Sequence, residues 1–243
     1  MRKTLFKKNT RQWEIDFLRG SAVILMIFYH FIYDLINIAE IPSFVVPSFW
    51  RLGPEVIAGM FLLTSGLSSF KQMILKNKSP WEVSWKKSKK VLLYGTLLTL
   101  VTLIFTSDTI ILFGILQCIG ISILLGTFFL TTQPRKLIIL AISTLIIGWE
   151  LEHLGYYNIS SQWVSHNLAG GRKMLDFFPM LPWFGYYLLG IFWGKTNFSK
   201  FCNRFQKRQA YSPILFLGRH SLWMYLVHQP ILILILYILG VIA

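Results

Sequence analysis

Long apolar stretches alternate with short polar or basic ones along the chain, and residues 13–35 form the first apolar stretch. A helix needs about 20 mostly apolar residues to cross a bilayer, and this stretch is long enough. It also carries Asp16, Arg19, His30 and Asp34, although ionisable groups inside a membrane helix are costly. At about 100° per residue, these four side chains lie on one face of a helix. We therefore predict that this face lines the interior of a helical bundle.

The same alternation predicts an all-α fold, a polytopic transmembrane helical bundle with about seven spanning helices. It forms a single predicted domain, residues 1–243. Lysine and arginine concentrate in alternate segments between the apolar stretches, which is typical of cytoplasmic segments. The N-terminus is therefore predicted inside and the C-terminus outside. The predicted helices cover residues 13–37, 55–75, 89–106, 109–130, 135–151, 179–195 and 218–243.

Composition supports a multi-pass protein of the cell (plasma) membrane. Of the 243 residues, 54% are hydrophobic and 14% are charged, whereas soluble domains have about 25% charged residues. The formal net charge of +14 would suit nucleic acid, but the basic residues form short clusters between apolar stretches. No nucleic-acid partner is therefore expected. Residues 1–11 resemble the start of a signal peptide, but the next segment is too long and polar for one, so we expect it to be retained.

His30 and Asp34 form the first candidate for chemistry. They lie four residues apart, so their side chains can meet on a helix. A carboxylate beside an imidazole fixes the tautomer of the ring and raises its basicity, as a general base requires. The alternative is a structural histidine that hydrogen-bonds to a neighbouring helix. Ionisable groups inside a membrane are commonly functional, which favours a catalytic role.

A second candidate group lies at the cytoplasmic end of the bundle. Asp16 and Arg19, three residues apart, either form an ion pair that positions the first helix or help to bind the phosphates of an anionic donor. Both roles are compatible if Asp16 orients Arg19. The residues that would join them are Arg219, His220, Ser221 and some of the lysines within 86–90.

The last predicted helix carries a third candidate group. Ser221, Tyr225 and His228 share one of its faces, and His228 lies about 14 Å from the inner end, near the bilayer centre. Pro230 frees a backbone carbonyl of the preceding turn. His228 and Gln229 would hydrogen-bond a thioester or oxyanion in a catalytic site. The alternative is a structural cluster of polar side chains.

Three sequence blocks resemble a known family. They are RxxEIDFLRGSAVILMIFYHFIYDL at residues 11–35, DFFPMLPWFGYYLLGIFWG at 176–194 and LGRHSLWMYLVHQPILI at 217–233. Together they are similar to the bacterial members of the heparan-α-glucosaminide N-acetyltransferase catalytic domain family. The resemblance implies that acetyl-CoA is used from the cytosol and that its acetyl group passes to an amino sugar across the membrane.

The chain departs from this family at one position. In the animal enzyme the essential histidine lies in the non-cytosolic loop after the first helix, and an asparagine occupies the position that matches His30. Residues 38–54 of this chain contain no histidine. A catalytic role for His30 therefore rests on its depth in the membrane and its neighbours, and not on the resemblance.

The leading hypothesis is a multipass membrane acyltransferase that uses acetyl-CoA and no metal. His30 would act as general base or as transient acyl carrier. The expected partners are the lipid bilayer, acyl-CoA and an extracytoplasmic glycan or amino sugar acceptor, and a homodimer is compatible with this hypothesis. The alternatives are a proton-coupled transporter that uses the same histidines and a non-catalytic scaffold or sensor. The predicted catalytic residues are His30, Asp34 and His228, and the predicted donor-binding residues are Arg19, Asp16, Arg219, His220, Ser221 and Gln229.

Overall fold

A computed structural model describes residues 12–39, 50, 52–106, 109–156, 166–167, 170–196 and 213–242. These residues are mostly helical, as the sequence predicts. Some predicted features lie outside the described residues: the basic N-terminus at 1–11, most of the loop at 38–54 and the basic segment at 197–212.

Eight α-helices account for most of the described residues. They are α1 (Trp13–Asn37), α2 (Gly53–Lys76), α3 (Pro80–Phe105), α4 (Ile115–Leu125), α5 (Pro134–His153), α6 (Met180–Thr196), α7 (Pro213–Arg219) and α8 (Ser221–Ile238). A short 3-10 helix, Gly126–Phe129, continues α4. Two strands of two residues each, β1 (Thr109–Ile110) and β2 (Lys173–Met174), pair in parallel with Thr109 opposite Lys173.

Three predicted helices have different boundaries in the structure. The third begins at Pro80 instead of about residue 89, because the Ser79 side chain accepts a hydrogen bond from the backbone N–H of Glu82 and caps α3. The fourth begins at Ile115 instead of residue 109, because β1 occupies the preceding residues. The last begins at Ser221 instead of residue 218, because the backbone of His220 is not helical (φ −108°, ψ 20°), and a separate helix, α7, precedes it.

Three of the described helices, α1, α3 and α8, are long and apolar enough to cross a membrane. Large apolar side chains such as Phe28, Leu97 and Leu234 point outward from them, as lipid-facing side chains do. This is a membrane protein. The total of seven spans and the orientation of the two termini stay predictions.

The chain forms two compact units. The first comprises Met1–Pro54 and Arg204–Ala243, and the second comprises Glu55–Asn203. In the first unit, α1 packs against α7 and α8. In the second, α3 packs against α4, and α5 packs against α6.

Polar contacts connect distant segments inside the second unit. Asp176 accepts a hydrogen bond of 3.1 Å from the backbone N–H of Ile115 and so caps the start of α4. Arg172 donates to the carbonyl of Leu103 over 3.2 Å. Both side chains therefore hold the segment around β2 against the ends of α3 and α4.

Candidate functional site

The candidate site lies in the first unit and begins where α1 crosses α7. Gly20 of α1 contacts Ile214 of α7, and Gly218 of α7 contacts Asp16 of α1. The two helices therefore run in opposite directions at this contact. A Cβ atom on either glycine would overlap a backbone carbonyl of the other helix. The two glycines therefore permit a backbone approach that a larger residue would prevent.

An ion pair joins the two helices at this crossing. The Nε atom of Arg219 lies 3.5 Å from Oδ2 of Asp16; the Asp16 side chain is buried, whereas 45% of the Arg219 side chain is exposed. The cation stabilises the buried carboxylate, and the exposed part of the guanidinium offers further N–H donors to an anion. Arg19 is half-buried on the next turn of α1, and His220 and Ser221 follow Arg219 directly. The predicted donor-binding residues other than Gln229 are therefore grouped around the crossing.

Asp34 and Gln229 form a second contact further along α1. The Nε2 atom of Gln229 donates a hydrogen bond of 2.7 Å to Oδ1 of Asp34, and Asp34 is fully buried. An ionised carboxylate only accepts hydrogen bonds, so Gln229 must turn its NH₂ group toward Asp34. Its Oε1 atom is then left free to accept a hydrogen bond.

His228 lies beside this contact with its tautomer defined by the backbone. Its Nδ1 atom is 2.7 Å from the carbonyl oxygen of Tyr225. A carbonyl only accepts hydrogen bonds, so Nδ1 carries the proton and Nε2 of the neutral ring keeps its lone pair. The ring of His30 lies with its centroid 4.8 Å from that of His228. Helices α1 and α8 thus bring two imidazoles together.

Three buried atoms here have no hydrogen-bond partner among the described residues: Oδ2 of Asp34, Oε1 of Gln229 and Nε2 of His228. All three are acceptors in the arrangement just described. We call Asp34, His228 and Gln229 the acceptor cluster. Buried polar atoms are normally paired, so three unpaired acceptors favour a ligand that supplies hydrogen-bond donors. An amine or ammonium group has this character.

The structure brings the three predicted catalytic residues together but pairs them differently from the sequence prediction. Asp34 bonds to Gln229, 195 positions away, and its second oxygen has no partner, so the expected bond to His30 is not formed. The predicted oxyanion role of His228 and Gln229 requires N–H donors. Nδ1 of His228 already donates to Tyr225, whereas Gln229 uses one of the two N–H groups on Nε2 for Asp34 and keeps the other. The geometry therefore favours an acceptor role for His228, and the oxyanion role of Gln229 stays a prediction.

The match to a known family covers both helix contacts. A family model described as "Heparan-alpha-glucosaminide N-acetyltransferase, catalytic" matches residues 11–230. The chain belongs to this family. The matched region includes every predicted site residue, and the resemblance noted in the sequence is confirmed. No curated protein and no solved structure matches the chain.

The family is one of membrane acetyltransferases. Membership of it does not favour the transporter alternative. It also implies an acetyl donor. Within the ranges that the structure describes, no group of three or more His, Cys, Asp or Glu side chains is arranged to hold a metal ion. Cys118, in the second unit, is a buried free thiol.

Three aromatic residues beside His30 were not among the predicted site residues. The rings of Tyr29 and Tyr33 lie 5.6 and 6.4 Å from the His30 ring, and Trp50 stacks on Tyr29 at 5.2 Å. Tyr33 follows His30 by three residues and Tyr29 by four, and this helical spacing is a signal that could have identified both. Trp50 carries no such signal, because its contact with α1 depends on tertiary structure.

Proposed function

We propose that this protein is a multipass membrane acetyltransferase that moves an acetyl group from cytosolic acetyl-CoA to the amino group of an extracytoplasmic amino sugar or glycan. Family membership supports acetyl transfer. The observation that carries the choice of an amino group is the acceptor cluster, whose three unpaired buried atoms are all acceptors. An ammonium group has three N–H donors and so complements them.

The proposed reaction requires two protons to leave the acceptor nitrogen. An amino sugar arrives as an ammonium ion, and Nε2 of His228 takes the first proton, which makes the nitrogen a nucleophile. The nitrogen then bonds to the carbonyl carbon of acetyl-CoA, and the bond between that carbon and sulfur breaks. The second proton passes to the CoA thiolate, which leaves as a thiol. Asp34 holds the amino group during these steps, and Gln229 positions Asp34.

His30 has two roles that are consistent with its distance from His228. In direct transfer, it receives the first proton from His228 and passes it to solvent. In the second route, His30 attacks the thioester, carries the acetyl group as an acetyl-imidazole and delivers it to the amine. Rapid quenching of enzyme with radiolabelled acetyl-CoA and no acceptor distinguishes them, since only the second route leaves label on the protein.

The proposed donor site lies around the crossing of α1 and α7. Arg219 and Arg19 would bind phosphate groups of acetyl-CoA, because guanidinium groups form paired hydrogen bonds with phosphate oxygens. Asp16 orients Arg219 through the ion pair at 3.5 Å. His220, which is exposed, and Ser221, which is half-buried, would add donors on the same side.

The test measures CoA release by the purified full-length protein in nanodiscs. Glucosamine should support release, whereas glucose, which lacks the amino group, should not. His228→Ala and His30→Ala should each lower the rate by about 100-fold or more, as loss of a general base does. His153→Ala, an exposed histidine on α5, is the control and should keep the parent rate. Equal release with glucose, or full activity of His30→Ala and His228→Ala, would contradict the proposal.

A further inference from the structure

The first three turns of α3 present an exposed face that the proposed reaction does not use. Its members are two tryptophans and three lysines, which we call the α3 stripe: Trp81, Trp85, Lys86, Lys89 and Lys90. The two tryptophan side chains are 51% and 50% exposed. Residues three and four positions apart are neighbours on a helix surface, so the five side chains form one continuous surface.

Contacts on the opposite face of α3 fix the direction of this stripe. Ser88 donates a hydrogen bond of 2.7 Å to the carbonyl of Gly120 on α4. Lys87 turns inward, and its Nζ atom lies 3.1 Å from the carbonyl oxygen of Ser65 and 3.2 Å from Oγ of Ser69. These contacts hold α3 against rotation about its axis. The stripe therefore points away from α2 and α4.

The two tryptophans form a flat aromatic surface within the stripe. Their ring centroids lie 5.6 Å apart with an angle of 14° between the ring planes. Tryptophan is enriched where the hydrocarbon of a membrane meets the headgroups, because its ring is apolar and its N–H is polar. The stacked, half-exposed pair lies about two to three turns before the apolar part of α3, so its rings belong on the headgroup side of this boundary.

The exposed face of α3 becomes apolar about one turn beyond the lysines. Leu93, Leu97 and Leu100 are 65%, 49% and 47% exposed, and they follow the lysines directly on the same side of the helix. Aliphatic side chains belong in the hydrocarbon, whereas lysines extend their charges to the headgroup level. This order predicts that the lysines of the stripe lie at the level of the phosphates in the leaflet where α3 begins.

We propose that the α3 stripe binds anionic phospholipid, with the lysines on the headgroup phosphates and the tryptophan rings against the outer part of the headgroups. Lys86, Lys89 and Lys90 form no ion pair with a carboxylate in the part of the chain that the structure describes, so their charges are available. Glu82 is the acidic neighbour on this face, and the three positive charges of the lysines exceed its single negative charge. Basic clusters beside a membrane span attract anionic lipids in this way.

The test uses the purified full-length protein equilibrated in mixed micelles with equal amounts of phosphatidylglycerol and phosphatidylcholine. Bound lipid is then quantified by mass spectrometry after re-isolation. The parent protein should be enriched in phosphatidylglycerol. The variant K86Q/K89Q/K90Q should lower this enrichment about tenfold, because each lysine near the surface contributes to the attraction. K86R/K89R/K90R should retain it, and W81L/W85L should lower it in part.

The matched control is R135Q/K136Q, which removes an exposed basic pair at the start of α5. It should keep the parent enrichment. An equal loss in this control would mean general charge attraction, and an unchanged K86Q/K89Q/K90Q would mean that the stripe binds no lipid; either result overturns the proposal. Displacement of phosphatidylglycerol by added CoA would identify the stripe as part of a nucleotide site and would also overturn it. The assay needs no catalysis, so its outcome is independent of the proposed reaction.

Discussion

At the scale of single residues, the positions of a few protons define the chemistry of the acceptor cluster. The carboxylate of Asp34 determines which end of the Gln229 amide faces it, and the carbonyl of Tyr225 determines which nitrogen of His228 carries hydrogen. The unpaired atoms that result are all acceptors. Substitutions that change one hydrogen bond should therefore affect both stability and activity.

Gln229→Leu should lower both the stability of the protein and its rate of acetyl transfer. The change removes the N–H donor to Asp34 and leaves a buried carboxylate unpaired, which costs about 1–3 kcal/mol. Denaturation in detergent measures the loss. Adding Asp34→Asn to Gln229→Leu should recover stability in part, because the buried charge is gone, but should not restore activity.

Gln72→Leu is the matched control for this prediction. Gln72 is half-buried on α2 and donates to the hydroxyl of Ser68 over 3.2 Å, so its partner is neutral. Its replacement should cost only about 0.5–1.5 kcal/mol. If the two leucine variants lose equal stability, the pairing of Gln229 with a buried charge is wrong.

Arg219→Gln should raise the KM for acetyl-CoA by about tenfold and leave kcat nearly unchanged, because the lost contact binds phosphate in the ground and transition states alike. Steady-state kinetics of CoA release measure both constants. Arg135→Gln, at an exposed position on α5, should change neither. A fall in kcat with an unchanged KM would place Arg219 outside the donor site.

At the scale of helices, the site depends on how closely α1 approaches α7 and α8. The crossing at Gly20 and Gly218 brings backbone against backbone, and the same helix then carries His30 and Asp34 to His228 and Gln229. The sequence indicated which face of α1 is polar. It did not indicate the crossing partner, because most of α7 lies in a segment predicted as a basic cytoplasmic loop before the last helix.

Gly20→Ala should destabilise the protein by about 1–3 kcal/mol, since the new Cβ meets a backbone carbonyl that cannot move without separating the helices. Gly59→Ala is the control, because its Cβ would lie 3.2 Å from the ring of Tyr186, so a shift of a few tenths of an ångström in a side chain relieves the contact. Alanine is also the better helix former. Thermal unfolding in detergent compares them, and equal Tm values for the two variants would contradict the close crossing.

At the scale of the whole molecule, function requires two substrates from opposite sides of a membrane. The chain belongs to a family of membrane acetyltransferases, and its basic segments predict which ends face the cytosol. The number of spans determines on which sides the two termini lie, because an odd number of spans puts them on opposite sides of the membrane.

Seven spans predict that the C-terminus is accessible from outside the cell and the N-terminus is not. Single cysteines introduced at Thr4 and at Ala243, in a Cys118→Ala/Cys202→Ser background, can be labelled with a membrane-impermeant maleimide in intact cells. The cysteine at position 243 should react, whereas that at position 4 should react only after permeabilisation. Equal labelling of both would indicate an even number of spans.

The sequence by itself determined the membrane location, the helical class, the polar face of α1 and the family. These follow from composition, from periodicity and from residue motifs, all of which are local along the chain. It also identified His30, Asp34 and His228 as a group, because ionisable residues at membrane depth are rare. The start of α3 was missed because its cap lies within a lysine-rich segment that was interpreted as a loop.

Only the tertiary structure decided how these residues pair. Gln229 and Asp34 are 195 positions apart, and the contact between the two imidazoles also joins α1 to α8. Local spacing favoured His30 for Asp34, because residues four apart are neighbours on a helix. Packing instead brings Gln229 of α8 to Asp34. Which hydrogen bonds form between helices depends on the relative positions of their backbones, and no single segment specifies these positions.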